Sequence, residues 1–239
     1  PGFYRGARAH WRPLLLALGC AVAHGVTAAN TVLYFSRNVL ARAGVEHSML
    51  ATMFIDAVKF LGVCTAFVLV DRLLRRTLLK VGTAGMIVGQ VGMSLAFWWN
   101  PDSPVQWLAI ASLVVYIYFW NISWSGLMLM VASELLPQAV RGMGLGLVYS
   151  TYWLISGVEE QSLQPLFREL SIPGTFAMYG TLSLGSLLFV WRCLPETAGL
   201  ELESCEDNMA EWNRDRLSSS PSTGSDSSEG SDPSPPGSI

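Results

Sequence analysis

The stretch DRLLRR at residues 71–76 lies between two long apolar segments and contains one aspartate and three arginines. A charged run in this setting is typical of a short turn at a membrane surface. Basic residues in short loops are retained on the cytoplasmic side when a protein inserts into a membrane. The turn is therefore predicted to be cytoplasmic, and this orientation fixes the sidedness of every neighbouring segment.

The composition favours a protein whose main solvent is lipid. The chain has 239 residues, of which 51% are apolar and only 14% are charged, whereas about a quarter of the residues of a soluble domain are charged. The net charge of −3 comes from acidic residues concentrated after Pro195. We therefore expect a lipid bilayer as partner and no nucleic acid, and the sequence contains no motif for a cofactor or a metal.

Hydropathy predicts an all-α membrane protein, because six windows contain the roughly 20 apolar residues that a spanning helix needs. They are residues 13–40, 48–70, 77–99, 105–129, 143–163 and 173–194. The predicted organisation is a cytoplasmic basic segment (1–12), six transmembrane helices (13–194) and a cytoplasmic tail (195–239). Alternation places residues 164–172 in an outer connection. The tail is rich in Ser, Pro, Gly and acidic residues from about residue 218, which predicts disorder there.

The first window is too long for one straight crossing and contains His24, Gly25, Thr27 and Asn30. Irregular backbone is tolerated at membrane depth only where protein or water satisfies it. The pattern therefore predicts a helix that is bent or unwound around a polar cavity.

The amino terminus starts with Pro1 rather than Met and does not match a signal peptide. We interpret the chain as a piece of a larger protein. The expected location is a multi-pass position in the plasma membrane or an endomembrane, with the tail in the cytoplasm.

Three motifs fall on the predicted cytoplasmic face: DRLLRR at 71–76, SELLPQAVRG at 133–142 and PETAG at 195–199. Together they resemble the carboxyl-terminal half of the sugar porter family of the major facilitator superfamily, over residues 12–202. The resemblance implies a six-helix half transporter that works with a missing amino-terminal half. It implies transport of a hexose or similar polar small solute by alternating access, either facilitated or proton-coupled, without a cofactor.

The resemblance also implies where the solute binds. Lys59 is similar to a lysine of the third class of facilitative glucose transporters, and Asn30, Tyr34, Ser36 and Trp153 match family positions. The implied substrate-binding residues are Asn30, Tyr34, Lys59, Tyr152 and Trp153.

Several positions depart from the family pattern. His24 and Gly25 stand where the family has two glutamines, and Tyr152 replaces an asparagine. Leu129 stands where the family has a cavity tryptophan. Sugar recognition uses polar side chains that bind several hydroxyl groups, so these departures concern the choice of solute more than the fold.

The cytoplasmic charges have two interpretations. The resemblance implies a gate of ion pairs that breaks as the two halves rock, whereas the alternative is charge that only orients the spans. The predicted gate residues are Asp71, Arg72, Arg75, Arg76, Glu134 and Arg141.

Other ionisable residues lie inside predicted spans. Asp56 and Lys59 are three apart on one helix face, and they form either a neutralised structural pair or a proton or substrate site. His24 is interpreted as a hydrogen-bonded residue of the bundle, with a protonation site as the alternative. Glu159 and Glu160 are expected to cap the outer end of the fifth span.

Two other functions remain open. An organic ion transporter has similar motifs, and Tyr152 with Trp153 would suit a flat organic cation. A receptor-like protein or pseudo-transporter that does not transport would explain the absent glutamines. An enzyme is not expected, because the sequence contains no recognisable set of nucleophile, base and orienting residue.

Overall fold

The computed structural model describes residues 11–42, 48–98, 105–138 and 140–194. All regular elements in these ranges are α-helices, which confirms the predicted all-α class. They are α1 (Trp11–Gly25), α2 (Ala29–Arg42), α3 (Ser48–Val70), α4 (Arg75–Trp98), α5 (Gln106–Ile122), α6 (Trp124–Leu135), α7 (Arg141–Glu169) and α8 (Ser171–Arg192). Most of the predicted amino-terminal segment and the entire predicted tail lie outside the described residues.

Within the described residues, five segments are long and apolar enough to cross a membrane. They are Trp11–Tyr34, Thr52–Val70, Arg75–Trp98, Gln106–Leu135 and Ser171–Arg192. The fifth predicted span lies in α7, which has 29 residues and is therefore about 43 Å long at 1.5 Å per residue. α7 is not among these five segments, although its length suffices to cross.

Most of the predicted outer connection at 164–172 is helical, and its position outside the membrane stays a prediction. α7 continues through Pro165 to Glu169, and Leu170 alone separates it from α8. Hydropathy reports the surroundings of a helix and not its length, so a polar helical end is easily taken for a loop.

Two of the predicted spans are interrupted helices. The first window breaks between Gly25 and Ala29, as the sequence predicts, and Ala28 adopts a left-handed backbone with φ 66°. The fourth window breaks at Ser123, between α5 and α6. We did not expect this second break, since that window is apolar almost throughout.

The bundle packs around α4, which lies along α5 on one side and α8 on another. The α4–α5 contact is lined by glycines of α4 that recur every three or four residues. A Cβ added at Gly85 would lie 2.2 Å from the Phe119 ring, and one added at Gly82 would lie 2.2 Å from the Ser123 side chain. Small residues allow membrane helices to approach this closely. The glycine seam, Gly82, Gly85, Gly89 and Gly92, therefore sets the spacing of the two helices.

Replacing Gly89 by Ala is expected to destabilise the protein by about 1–3 kcal/mol, because the added methyl group overpacks the seam. It would lie 2.9 Å from both the backbone O of Ser112 and the backbone N of Tyr116, which cannot rotate away. Thermal unfolding in detergent measures the effect. Gly185→Ala in α8 is the matched control, since a Cβ there meets nothing within 4 Å. Equal unfolding temperatures for the two variants would contradict the overpacking.

Candidate functional site

The break between α1 and α2 leaves backbone groups without the partners that a continuous helix would provide. The Thr27 carbonyl lies in the break and accepts two hydrogen bonds, from Gln90 Nε2 at 2.7 Å and from Tyr116 Oη at 2.8 Å. Thr27, Gln90 and Tyr116 are all buried. Because an unpaired buried carbonyl is costly, these donors from α4 and α5 stabilise the unwound backbone.

The two helix ends that flank the break are held by other helices. On the α1 side, Ser186 Oγ in α8 donates to the Ala23 carbonyl at 2.8 Å. On the α2 side, Glu159 Oε1 in α7 accepts from the Thr31 backbone N–H at 2.9 Å. Glu159 therefore caps α2 and not, as the sequence suggested, its own helix. Four helices together fix the geometry of the break.

His24 lies one residue before the end of α1 and is packed among aromatic rings. Its ring stacks on Tyr152 with a centroid distance of 4.6 Å and on Trp124 at 5.6 Å. His24 Nε2 accepts from Trp120 Nε1 at 3.1 Å, and Nδ1 lies 3.2 Å from the Met128 sulfur. Both ring nitrogens therefore have protein partners, as expected for a hydrogen-bonded residue of the bundle.

The aromatic group continues from His24 towards the surface of α7. The Tyr152 ring meets Trp153 edge-on at 5.5 Å, and Trp153 meets Tyr149 in the same way at 6.0 Å. Tyr152 is buried, whereas about half of Trp153 and of Tyr149 is exposed. We call the following residues the aromatic group: His24, Trp120, Trp124, Tyr149, Tyr152 and Trp153. It presents ring faces and edges and few free polar atoms.

The structure brings together only part of the predicted substrate-binding set. Tyr152 and Trp153 belong to the aromatic group. Asn30 is half-buried in the first turn of α2, just after the break, and Tyr34 lies one turn further along and is exposed. Lys59 lies on α3 and pairs with Asp56, with 3.3 Å between Nζ and Oδ1.

Four of the six predicted gate residues join the ends of four helices. Arg75 at the start of α4 forms an ion pair with Glu134 near the end of α6. Arg76 donates to the backbone carbonyls of Val190 and Trp191, near the end of α8. Arg141, the first residue of α7, donates from Nε to the Leu136 carbonyl at 3.1 Å.

The remaining two predicted gate residues, Asp71 and Arg72, are exposed in the turn between α3 and α4. The residues that link helices at this end of the bundle therefore lie at helix ends, and the turn itself stays at the surface.

Sequence reasoning missed the residues that hold the helix break. Gln90 and Glu159 carried a signal, because polar and ionisable residues inside a membrane span are costly and tend to be functional. Tyr116 and Trp124 carried none, since aromatic residues are common in apolar helices. Trp124 is fully buried, and its Nε1 donates to Thr83 Oγ1 at 2.8 Å.

Comparison with known proteins gives consistent matches. A family model described as "Sugar (and other) transporter" matches residues 3–209. The facilitated trehalose transporter Tret1 of Anopheles gambiae is 28% identical over 207 residues, which cover 84% of this chain and 26% of that protein. Myo-inositol transporter 1 of Saccharomyces cerevisiae is 29% identical over 209 residues, which cover 82% of this chain and 36% of that protein. The chain thus spans well under half of these relatives.

Solved structures of a xylose transporter share the fold. The inward open conformation of XylE from E. coli superposes with a TM-score of 0.68 and 24% identity, covering 82% of this chain and 42% of that one. The proton:xylose symporter XylE bound to 6-bromo-6-deoxy-D-glucose gives a TM-score of 0.72 with 22% identity and the same coverage. The fold is therefore that of half a transporter of the major facilitator superfamily. Because the family model matches most of its length, the chain belongs to the "Sugar (and other) transporter" family.

Proposed function

We propose that this chain forms one half of a membrane transporter that moves a sugar or similar polar small solute by alternating access, facilitated or proton-coupled. The helix break at Thr27 carries the proposal, since transporters of this kind form their solute sites at interrupted helices. The trehalose and inositol transporters named above support the solute class. The chain spans only 26% and 36% of those relatives, so we propose that an amino-terminal half completes the site.

We propose that the solute is held between the break and the aromatic group. Asn30 offers an amide just beyond the break, and Trp153 offers an exposed ring next to Tyr152. Tyr34 and Lys59 are proposed to contribute from α2 and α3. An amide can bind hydroxyl groups as donor and acceptor, which suits a polyhydroxylated solute.

We propose that the joined helix ends form a cytoplasmic gate. The ion pair of Arg75 and Glu134 links α4 to α6, and Arg76 links α4 to α8. These contacts hold the helix ends of this half together, as a surface against which the other half closes. Asp71 and Arg72 in the exposed turn and Arg141 at the start of α7 are proposed to contact the other half.

Uptake by the full-length protein in liposomes tests the function. We expect saturable uptake of at least one of labelled D-xylose, trehalose and myo-inositol, above that of empty liposomes. Solute binding without flux would contradict transport and favour a receptor-like role. No binding and no flux for any of the three would contradict the proposed solute class.

Organic cation transport is a second candidate, favoured by the half-exposed rings of Tyr149 and Trp153. Aromatic faces attract cations, and the attraction grows when water is excluded. Inhibition of uptake by tetraethylammonium, with no inhibition by sugars, would favour this candidate in the same assay.

Replacing Asn30 by Ala is expected to raise the KM for the transported solute roughly tenfold, the effect of losing about one hydrogen bond. Initial uptake rates over a range of solute concentrations measure it. Asn121→Ala is the matched control, because the Asn121 amide donates to the Ile117 carbonyl of its own helix at 2.8 Å. An unchanged KM in Asn30→Ala would remove Asn30 from the binding site.

A further inference from the structure

We propose that Glu159 is a positioning residue that fixes the first turn of α2 and thereby couples α2 to α7. For transport, this inference rests on the proposed function, because the position of α2 matters to uptake only if the break forms part of the solute site. The part of the inference that concerns the structure of the break does not depend on the proposed function. Its basis is the hydrogen bond from the Thr31 backbone N–H to Glu159 Oε1, which joins residues 128 positions apart.

The surroundings of Glu159 are unusual for a carboxylate. Only 6% of its surface is exposed, and among the described residues no cation forms an ion pair with it. Glu134 is also partly buried but has Arg75 as partner, whereas Glu160 is exposed. A buried acid is costly unless the protein stabilises it. The described polar contact that offsets this cost is the amide of α2.

The amide that Glu159 binds is one that α2 cannot satisfy itself. The first N–H groups of a helix have no acceptor within the helix, and a carboxylate there also interacts favourably with the helix dipole. Ala28 precedes α2 with a left-handed backbone, a conformation that an L-residue keeps only when the surroundings impose it. The Glu159 contact is therefore well placed to hold the chain in the interrupted conformation.

The contact also has a mechanical consequence. The α1 side of the break is tied to α8 through Ser186, and the break itself is tied to α4 and α5 through Thr27. The α2 side is tied to α7 through Glu159. Any displacement of α7 therefore pulls on the start of α2, which carries Asn30.

Hydrogen exchange of the purified full-length protein in detergent tests the contact directly. In Glu159→Leu we expect the backbone amides of residues 29–33 to exchange about tenfold faster, since the hydrogen bond from the Thr31 N–H to the carboxyl oxygen is lost. Glu159→Gln keeps an oxygen acceptor, so exchange should stay within about twofold of the wild type. Glu160→Leu is the matched control, because it removes the exposed neighbouring carboxylate.

Exchange in α4 shows whether an effect is local, and it should be unchanged in all three variants. Wild-type exchange at residues 29–33 in Glu159→Leu would overturn the proposal, as would equal acceleration in Glu160→Leu or failure of Gln to restore protection. Solute uptake is a second, separate measurement. Glu159→Leu should lose uptake activity, and Glu159→Gln should retain it. If the wild type transports none of the solutes but the exchange pattern holds, the proposed function fails and the positioning role stands.

Discussion

Replacing Glu134 by Ala is expected to destabilise the protein by roughly 3 kcal/mol, because the Arg75 guanidinium then stays largely buried without its carboxylate. The side chains of Arg75 and Glu134 are 23% and 21% exposed, so water screens the pair only in part. The variant should also lower the maximal uptake rate more than it changes the KM, since the pair lies at a helix end and not at the proposed solute site. Thermal unfolding in detergent and uptake kinetics measure the two effects.

Two further variants separate the ion pair from a general effect of charge. Arg168→Ala removes an exposed charge from the last turn of α7 and should leave the unfolding temperature unchanged, as is usual for surface charges. Reversal of the pair, with Arg75→Glu and Glu134→Arg combined, should recover part of the stability that each single change loses. The ion pair is not important for stability if Glu134→Ala and Arg168→Ala unfold at the same temperature.

Replacing His24 by Leu should have an effect of similar size, for a different reason. Trp120 Nε1, which is partly buried, would lose its acceptor, at a cost of about 1 kcal/mol, the lower end of the range for a buried donor. The stacks on Tyr152 and Trp124 would also be lost, at about 0.5–1.5 kcal/mol for each ring pair. We expect a total of roughly 3 kcal/mol from these terms, measured as a lower unfolding temperature.

His24→Gln divides this effect into its two parts. The glutamine amide oxygen can accept from Trp120 but cannot stack, so the variant should be intermediate between the wild type and His24→Leu. Val22→Leu, on the exposed face of the same helix, is the control and should have little effect. Equal unfolding of His24→Gln and the wild type would show that ring stacking contributes nothing measurable.

Much of the fold could be predicted because the membrane imposes it locally. Each spanning helix needs a continuous apolar segment, and α3 coincides with its predicted window at 48–70. The first helix break was also predicted, since glycine and polar residues collect near Thr27. The break at Ser123 gave a weaker signal, because the interruption of the apolar run there is short, from Asn121 to Gly126.

The contacts within the candidate site could not be predicted in the same way. Glu159 meets Thr31 across 128 residues, and His24 meets Met128 across 104. Contacts between side chains of different helices depend on the rotation of each helix about its axis and on the shift between neighbouring helices. No local sequence pattern specifies the rotation or the shift. The links between helix ends were more accessible to sequence reasoning, because charged residues next to long apolar segments form a local pattern that can be read from the sequence.

The glycine seam between α4 and α5 has a consequence for interpreting natural variants of this chain. An alanine at position 85 or 89 makes the segment more apolar and a better helix former. A score based on hydropathy would therefore rank the substitution as harmless. The seam has less room than one methyl group requires. Deep mutational scans should therefore show these positions rejecting every larger residue, including those that membrane insertion favours.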